Sequence, residues 1–266
     1  MFLKLTPMSS RRSFIKKASL AGIAGITTPT FASAEELSST PNKRPKVLFF
    51  DVNETLLDLT AMKTNVSNAL NGNTDLLKLW FTTMLQYSLV TTVTRQYDDF
   101  GKIGAAALVM VAANNNIKIS QKEAENIIIP PLRSLPPHPE VIEALELLKK
   151  NNYTLVSFTN SSQKGVSTQF KNAGLTHYFD KMLSIDALGK FKPHHETYAW
   201  ASRQMNIEPS ESMLIAAHGW DIAGALAAGW RAAFVNRPGA QLYPLAPSPE
   251  LNEFDLSRIS KKLINL

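Results

Sequence analysis

The amino-acid sequence predicts an α/β protein: one parallel sheet with helices on both faces, and an α-helical cap inserted near its start. Three observations carry that prediction. Short apolar runs alternate with amphipathic stretches of helical period from residue 136 onward, as a parallel sheet with crossover helices requires. The most conspicuous polar residues, Asp51, Thr159-Asn160, Lys192 and His218 to Asp221, follow apolar runs. Residues 59–135 break the alternation, with helical periodicity and no convincing strand.

The elements follow in order. Lys46 to Phe50 is the first strand and ends abruptly in Asp51. After the helical stretch, Pro139 to Lys150 (PEVIEALELLKK) has apolar residues at helical spacing, and Tyr153 to Phe158 (YTLVSF) follows as a strand. Gln163 to Ala173 is a helix ended by Gly174, ahead of a short strand near Lys181 to Ser184. Pro193 to Met205 is a helix, Met213 to Ala217 a strand, Asp221 to Ala228 a helix closed by Gly229, and Arg231 to Val235 the last strand. Leu242 to Pro249 is Pro-rich and is expected to pack loosely before a final amphipathic segment. The carboxyl ends of parallel strands share one edge, and ligands bind there at the switch in strand order. Four separated polar stretches are therefore expected to meet in one crevice.

A chain of 266 residues with 44% hydrophobic content supports one core plus an inserted subdomain. With no cysteine, a disulfide framework, a thiolate metal site and a Cys nucleophile are all excluded. The net charge of +6 suggests an anionic partner until the charges are located. Five of the basic residues, and no acid, lie in Met1 to Ala34, so the remainder carries only +1 and nucleic-acid binding loses its support. That leader has paired arginines, a short apolar region and a small-residue cleavage site at Ala32-Ser33-Ala34. Ser10 to Lys16 (SRRSFIK) resembles the bacterial twin-arginine export motif, which places the mature protein in the periplasm or outside, with no stable membrane span. The organisation expected is a signal peptide at 1–34, a linker at 35–45, an α/β core from 46–58 and 136–240, a helical cap at 59–135 and a C-terminal extension at 241–266.

Four motifs, FFDVNETL, SFTN, KPHHETY and AAHGWD, occur in order at the ends of the expected strands. Together they resemble the haloacid dehalogenase superfamily, and within it the type II 2-haloacid dehalogenases, over nearly all of Lys46 to Pro238. The resemblance implies a Rossmann-like core with Asp51 as nucleophile, Thr159 and Asn160 as the second motif, Lys192 as the essential lysine and Asp221 as the acid of the last motif. Tyr198 and Trp220 match residues near the substrate. The chemistry is coherent, because a carboxylate can displace halide from carbon in one in-line step and leave an ester that water cleaves. Lys192 would keep Asp51 ionised and stabilise charge as it moves. Turn or helix-cap chemistry is the bland alternative for Asp51, Thr159 and Asn160, a solvated charge that for Lys192, and core packing that for Tyr198 and Trp220.

Phosphatases of the superfamily carry an aspartate two residues after the nucleophile to protonate the leaving alcohol. Asn53 stands there and supplies no acidic proton, which suits halide departure and argues against phosphate-ester hydrolysis. No cofactor is expected; magnesium, held by Asp51 and Asp221, belongs only to the phosphatase alternative. Two departures from the type II pattern matter. His218 replaces an asparagine, and with Glu54 on a neighbouring loop it is expected to act as the base that activates water against the Asp51 ester. In the cap segment, Leu79, Trp80, Leu85, Tyr87, Tyr97 and Phe100 match, but Phe81 replaces an arginine that receives the substrate carboxylate or the halide. Either another cation substitutes or the substrate differs; Arg95, on the same segment, is expected on a solvated face. Phe81, Leu85, Phe100 and Trp220 suggest an apolar pocket.

The expected activity is therefore hydrolytic dehalogenation of a small 2-haloacid. The alternatives are a magnesium-dependent phosphatase and an exported binding protein with little turnover, the latter favoured by Phe81. His138, His177, His194 and His195 make no convincing metal set and are assigned to the surface. Dimerisation through the cap fits the resemblance, though nothing local demands it.

Overall fold

The computed structural model describes residues 43–266; the expected signal peptide and most of the expected linker lie outside the described residues. Six strands, β1 (Val47–Phe50), β2 (Thr154–Thr159), β3 (Lys181–Ser184), β4 (Ser212–Ala216), β5 (Arg231–Val235) and β6 (Leu251–Glu253), form one sheet in the order β3-β2-β1-β4-β5-β6. Every neighbouring pair is parallel. β1 is the apolar run VLFF, buried along its whole length, as a central strand covered on both faces must be. It pairs with β2 on one side and β4 on the other, with Phe50 opposite both Ser157 and Ile215. The strand order reverses at β1, so the switch point lies at its carboxyl end, where Asp51 begins the next turn.

The expected last strand is not the last. Beyond β5 the chain returns through the Pro-rich stretch and adds β6 at the edge, with Phe234 opposite Asn252. Three residues of alternating polarity, LNE, carry too weak a pattern to be read as a strand; pairing with β5 supplies what periodicity lacks. The final helix, α9 (Leu256–Leu263), covers the core with Leu256, Ile259 and Leu263. The Pro-rich stretch is mostly exposed, as expected of loose packing, but its start is pressed onto the core. A Cβ on Gly219 would lie 2.2 Å from the Gln241 carbonyl oxygen, so only glycine permits that approach. Arg44 lies over the Tyr153 ring and Pro45 is buried, so the end of the expected linker also packs on the core.

Between β1 and β2 all regular structure is helical: α1 (Lys63–Ala69), α2 (Leu76–Thr94), α3 (Phe100–Asn114), α4 (Gln121–Leu132) and α5 (Val141–Lys150). Ser120 and Glu123 cap α4 reciprocally, and Asp99 caps α3. Trp80 on α2 is fully buried and donates its indole N–H to Gly104 of α3 at 2.8 Å, which fixes the two helices together. The crossovers on the other side are α6 (Gln163–Ala173), stopped by left-handed Gly174 as expected, α7 (His195–Met205) and α8 (Gly219–Ala227). Phe49, Phe158, Tyr198 and Trp230 form an aromatic cluster within the core, with Phe49 and Trp230 centroids 4.4 Å apart.

Candidate active site

Asp51 extends the ladder of β1 by one bond, its N–H donating to Ile215 at 3.1 Å, and its side chain is almost fully buried. Burial alone would raise its pKa, but Lys192, His218 and Thr55 hold the carboxylate well below the usual range, so it is ionised. Its two oxygens differ. Oδ2 accepts from Thr55 Oγ1 at 2.7 Å and lies 3.2 Å from His218 Nδ1, whereas Oδ1 accepts only from Lys192 Nζ at 3.1 Å. Thr55 is itself fixed, because its hydroxyl oxygen accepts the Ala217 N–H at the end of β4.

Lys192 is fully buried, and its ammonium meets three acceptors: Asp51 Oδ1, Asp221 Oδ2 at 2.5 Å and the Phe158 carbonyl at 2.9 Å. Burial opposes its charge, but the two carboxylates outweigh that and raise it. Asn160 clasps the peptide of Lys192, with Oδ1 accepting from its N–H at 2.9 Å. Thr159 makes the local turn instead, its hydroxyl accepting the Ser161 N–H. Asp221 sits in the first turn of α8; burial and the neighbouring Asp51 charge raise its pKa, against the pull of Lys192 and Tyr198. Tyr198, expected beside the substrate, lies fully buried behind Asp221 and donates its hydroxyl to Oδ1 at 2.5 Å. That contact depends on Gly224, where a Cβ would stand 2.5 Å from the Tyr198 oxygen.

On the other side of Asp51, His218 is the N-cap residue of α8, yet its ring makes no cap bond. Nε2 instead lies 2.7 Å from Glu54 Oε2, and Nδ1 faces Asp51. Burial pushes the imidazole down, but hydrogen bonds to Asp51 and Glu54 and their charges raise it to about 10. The resting His218 is thus an imidazolium donating from both nitrogens. Two flanking carboxylates keep the proton on the ring in the resting site. The ring is stacked between Phe81, at 5.9 Å, and Trp220, at 5.1 Å.

Glu54 reaches His218 from a left-handed backbone conformation, φ 63°, which costs a non-glycine residue about 1 kcal/mol. Its N–H donates to the Leu57 carbonyl at 2.8 Å, and its carbonyl accepts from His138 Nε2 at 3.0 Å. His138, assigned to the surface from sequence, is half-buried at the back of this loop; burial and Arg237 lower its basicity, so it is neutral. His177, His194 and His195 are exposed.

Asn53 is turned away from the ionic centre. Its Oδ1 accepts from Gln169 Nε2 at 2.8 Å, and its Nδ2 donates to Ser161 Oγ at 3.3 Å. Gln169 was invisible as a site residue, although a polar side chain on the buried face of α6 with Val166 and Phe170 was the available signal. Thr55 had only its place four residues after Asp51, and His138, 84 residues from Glu54, had none. Leu85 is part-buried against the core, and Phe100 is buried with its ring centroid 5.6 Å from that of Phe191, in the loop that carries Lys192. Arg95 is exposed at the left-handed end of α2, as expected of a solvated charge. Among the described residues, Lys192 and His218 are the cations in contact with Asp51.

A magnesium ion shared by Asp51 and Asp221 does not fit this arrangement, because the Lys192 ammonium already bridges the two carboxylates and Tyr198 and Thr55 take further oxygen lone pairs.

Comparisons with known proteins agree with this architecture. A family model described as haloacid dehalogenase-like hydrolase matches residues 48–235. The chain is 26% identical over 191 residues to (S)-2-haloacid dehalogenase 4A of Burkholderia cepacia, covering 71% of this chain and 82% of that one. It is 25% identical to haloacetate dehalogenase H-2 of Moraxella sp. over 78% of this chain and 93% of the other. The L-2-haloacid dehalogenase of Xanthobacter autotrophicus, solved also with chloropropionic acid covalently bound, superposes with a TM-score of 0.76 at 22% identity, covering 82% and 97% of the two chains. On the match across most of its length, the chain belongs to the haloacid dehalogenase-like hydrolase family.

Proposed function

We propose that the protein is a hydrolytic dehalogenase that displaces halide from the carbon next to the carboxyl carbon of small 2-haloacids or their carboxyl derivatives, through an ester on Asp51. One observation carries the reading: a buried, ionised carboxylate at the switch point with Oδ1 held by a single donor and Oδ2 by two. Oδ1 is the freer oxygen and attacks carbon, while the carbon–halogen bond breaks and halide leaves with the electron pair. Oδ2 becomes the ester carbonyl oxygen, already facing the Thr55 hydroxyl, which polarises it for attack by water. The absence of an acid at position 53 suits this chemistry, since halide needs no proton to depart. The dehalogenase names of the relatives, and the covalently bound chloropropionic acid in the Xanthobacter structure, support the same reading.

His218 then works in two states. Esterification removes the Asp51 charge, leaving Glu54 as the imidazole's one carboxylate partner, so the proton on Nδ1 is released with the halide. The neutral ring accepts one proton of the water as the hydroxyl oxygen bonds to Asp51 Cγ; the oxygen leaving Cγ takes the other, from that hydroxyl, and departs as the alcohol, so Asp51 is again a carboxylate and His218 an imidazolium. Halide, alcohol and one proton are the net products. Mass spectrometry after single turnover in heavy-oxygen water tests the ester: the label is expected in Asp51, and label confined to the product overturns the reading. Halide release in the presence of chelator, beside a phosphate-ester assay with magnesium and an Asp51→Asn control, separates this function from the phosphatase and from a binding protein with little turnover.

The twin-arginine-like leader supports a periplasmic or exported location. Cell fractionation of the full chain against an Arg11→Lys, Arg12→Lys double variant tests it, with retention of the variant in the cytoplasm expected.

A further inference from the structure

The acceptors and donors around Asp51 count out unevenly. Three carboxylates, Asp51, Glu54 and Asp221, face two cations, Lys192 and His218. Every N–H of those cations is already engaged: the three of Lys192 by Asp51, Asp221 and the Phe158 carbonyl, the two of His218 by Asp51 and Glu54. A substrate carboxylate arriving here meets surplus negative charge and finds no cationic donor to take it. Phe81 and Trp220, whose rings stack on His218, add no charge. Trp220, whose ring centroid is 5.1 Å from that of His218, carries an uncommitted donor. The indole Nε1 of Trp220 is buried without a hydrogen-bond partner among the described residues. A neutral N–H of this kind matches an uncharged carbonyl oxygen, whereas a buried carboxylate needs charged or multiple donors.

We infer that the site is built for an uncharged 2-halo carbonyl compound, an amide or ester of a 2-haloacid, in preference to the free 2-haloacid anion. Its halogenated carbon faces Asp51 Oδ1, and its carbonyl group is taken by the aromatic wall with the Trp220 N–H as donor. Displacement proceeds as above, with halide leaving and the amide or ester group untouched. This inference rests on the dehalogenase reading and narrows its substrate.

The test is halide release by the purified protein from 2-bromopropionamide, methyl 2-bromopropionate and 2-bromopropionate at neutral pH. Each rate is divided by that of the same compound with acetate ion in solution, which removes intrinsic reactivity. A normalised kcat/KM at least about tenfold higher for amide or ester than for the anion is expected, because like charges placed together in a site are strongly disfavoured. Equal or higher values for the anion overturn the inference and leave the dehalogenase reading standing. No halide from any of the three overturns both. Two variants sharpen the result: Phe81→Arg, which adds a cation to the wall, is expected to shrink the ratio at least several-fold through the anion's KM, and Trp220→Phe, which keeps the ring and removes the N–H, to lower kcat/KM for the amide more than for the anion. An unchanged ratio in both variants counts against the assigned wall.

Discussion

The two sides of Asp51 are built differently. On one side Lys192, Asp221 and Tyr198 are fully buried and bonded to one another, with the Lys192 backbone clasped by Asn160. On the other, His218 leans on Glu54, whose side chain is 40% exposed, and both sit on loops rather than inside the sheet. In the proposed cycle the first side fixes the charge of the nucleophile throughout. The second contains the ring whose charge follows the state of Asp51 in that proposal, which requires the looser construction. Rigid and adjustable halves of one site are thus separated by the nucleophile itself.

The sharpest way to break this comparison is Lys192→Met. It leaves two buried carboxylates facing each other, and about 3–5 kcal/mol of stability is expected to go, with activity falling at least about a thousandfold. Urea midpoints and halide release measure the two losses, and a small loss of both would show that the rigid side is not the anchor. Next comes His218→Asn, expected to slow ester opening by about a hundredfold to ten-thousandfold while alkylation continues. Alkylated Asp51 should then accumulate and be seen in the intact-protein mass; brisk turnover without it removes the ring from the second step.

The same ring predicts a pH dependence of stability. Its basicity is raised in the folded protein from 6.5 to about 10, so its contribution is complete below about pH 6.5 and fades as pH rises toward 10. Urea midpoints at pH 6 and 9.5 should fall with pH in the parent and fall less in His218→Asn. Tyr198→Phe is milder: Asp221 loses one buried donor, at about 1–3 kcal/mol, and activity drops less than the Lys192 variant's. The smallest effect expected is from His138→Ala, at about 1 kcal/mol, which frees the Glu54 carbonyl and lets its left-handed turn relax. Its signature is a fall in kcat with KM nearly unchanged, and an equal change in both would place His138 outside the positioning of Glu54.

Much of the fold was legible because its strands are short, fully apolar runs between helices that announce themselves by period and cap, such as Gln163 to Gly174. β6 escaped because three residues of mixed polarity become a strand only through a partner. The polar residues at the ends of β1, β2 and β4 were legible from their abrupt positions after apolar runs. Their orientations were not. Tyr198 faces Asp221 from behind, Asn53 is tied to Gln169, and Phe100 packs on Phe191, the neighbour of Lys192. A periodic pattern tells which face of an element is buried, but not which buried neighbour it meets.

By itself the sequence determined which chemistry is available: a carboxylate at a strand end, a lysine and a second acid that the parallel topology must bring to the same edge, and an amide where an acid would serve phosphate esters. Only the tertiary structure decided how those groups are spent. That Lys192 and His218 have no N–H left over follows from contacts spanning 141 and 167 residues of chain, fixed by how the loop before α7, α8 and the loop after β1 pack together. Local pattern acts over a few residues, whereas the saturation of a donor depends on every group that packing brings within about 3 Å of it.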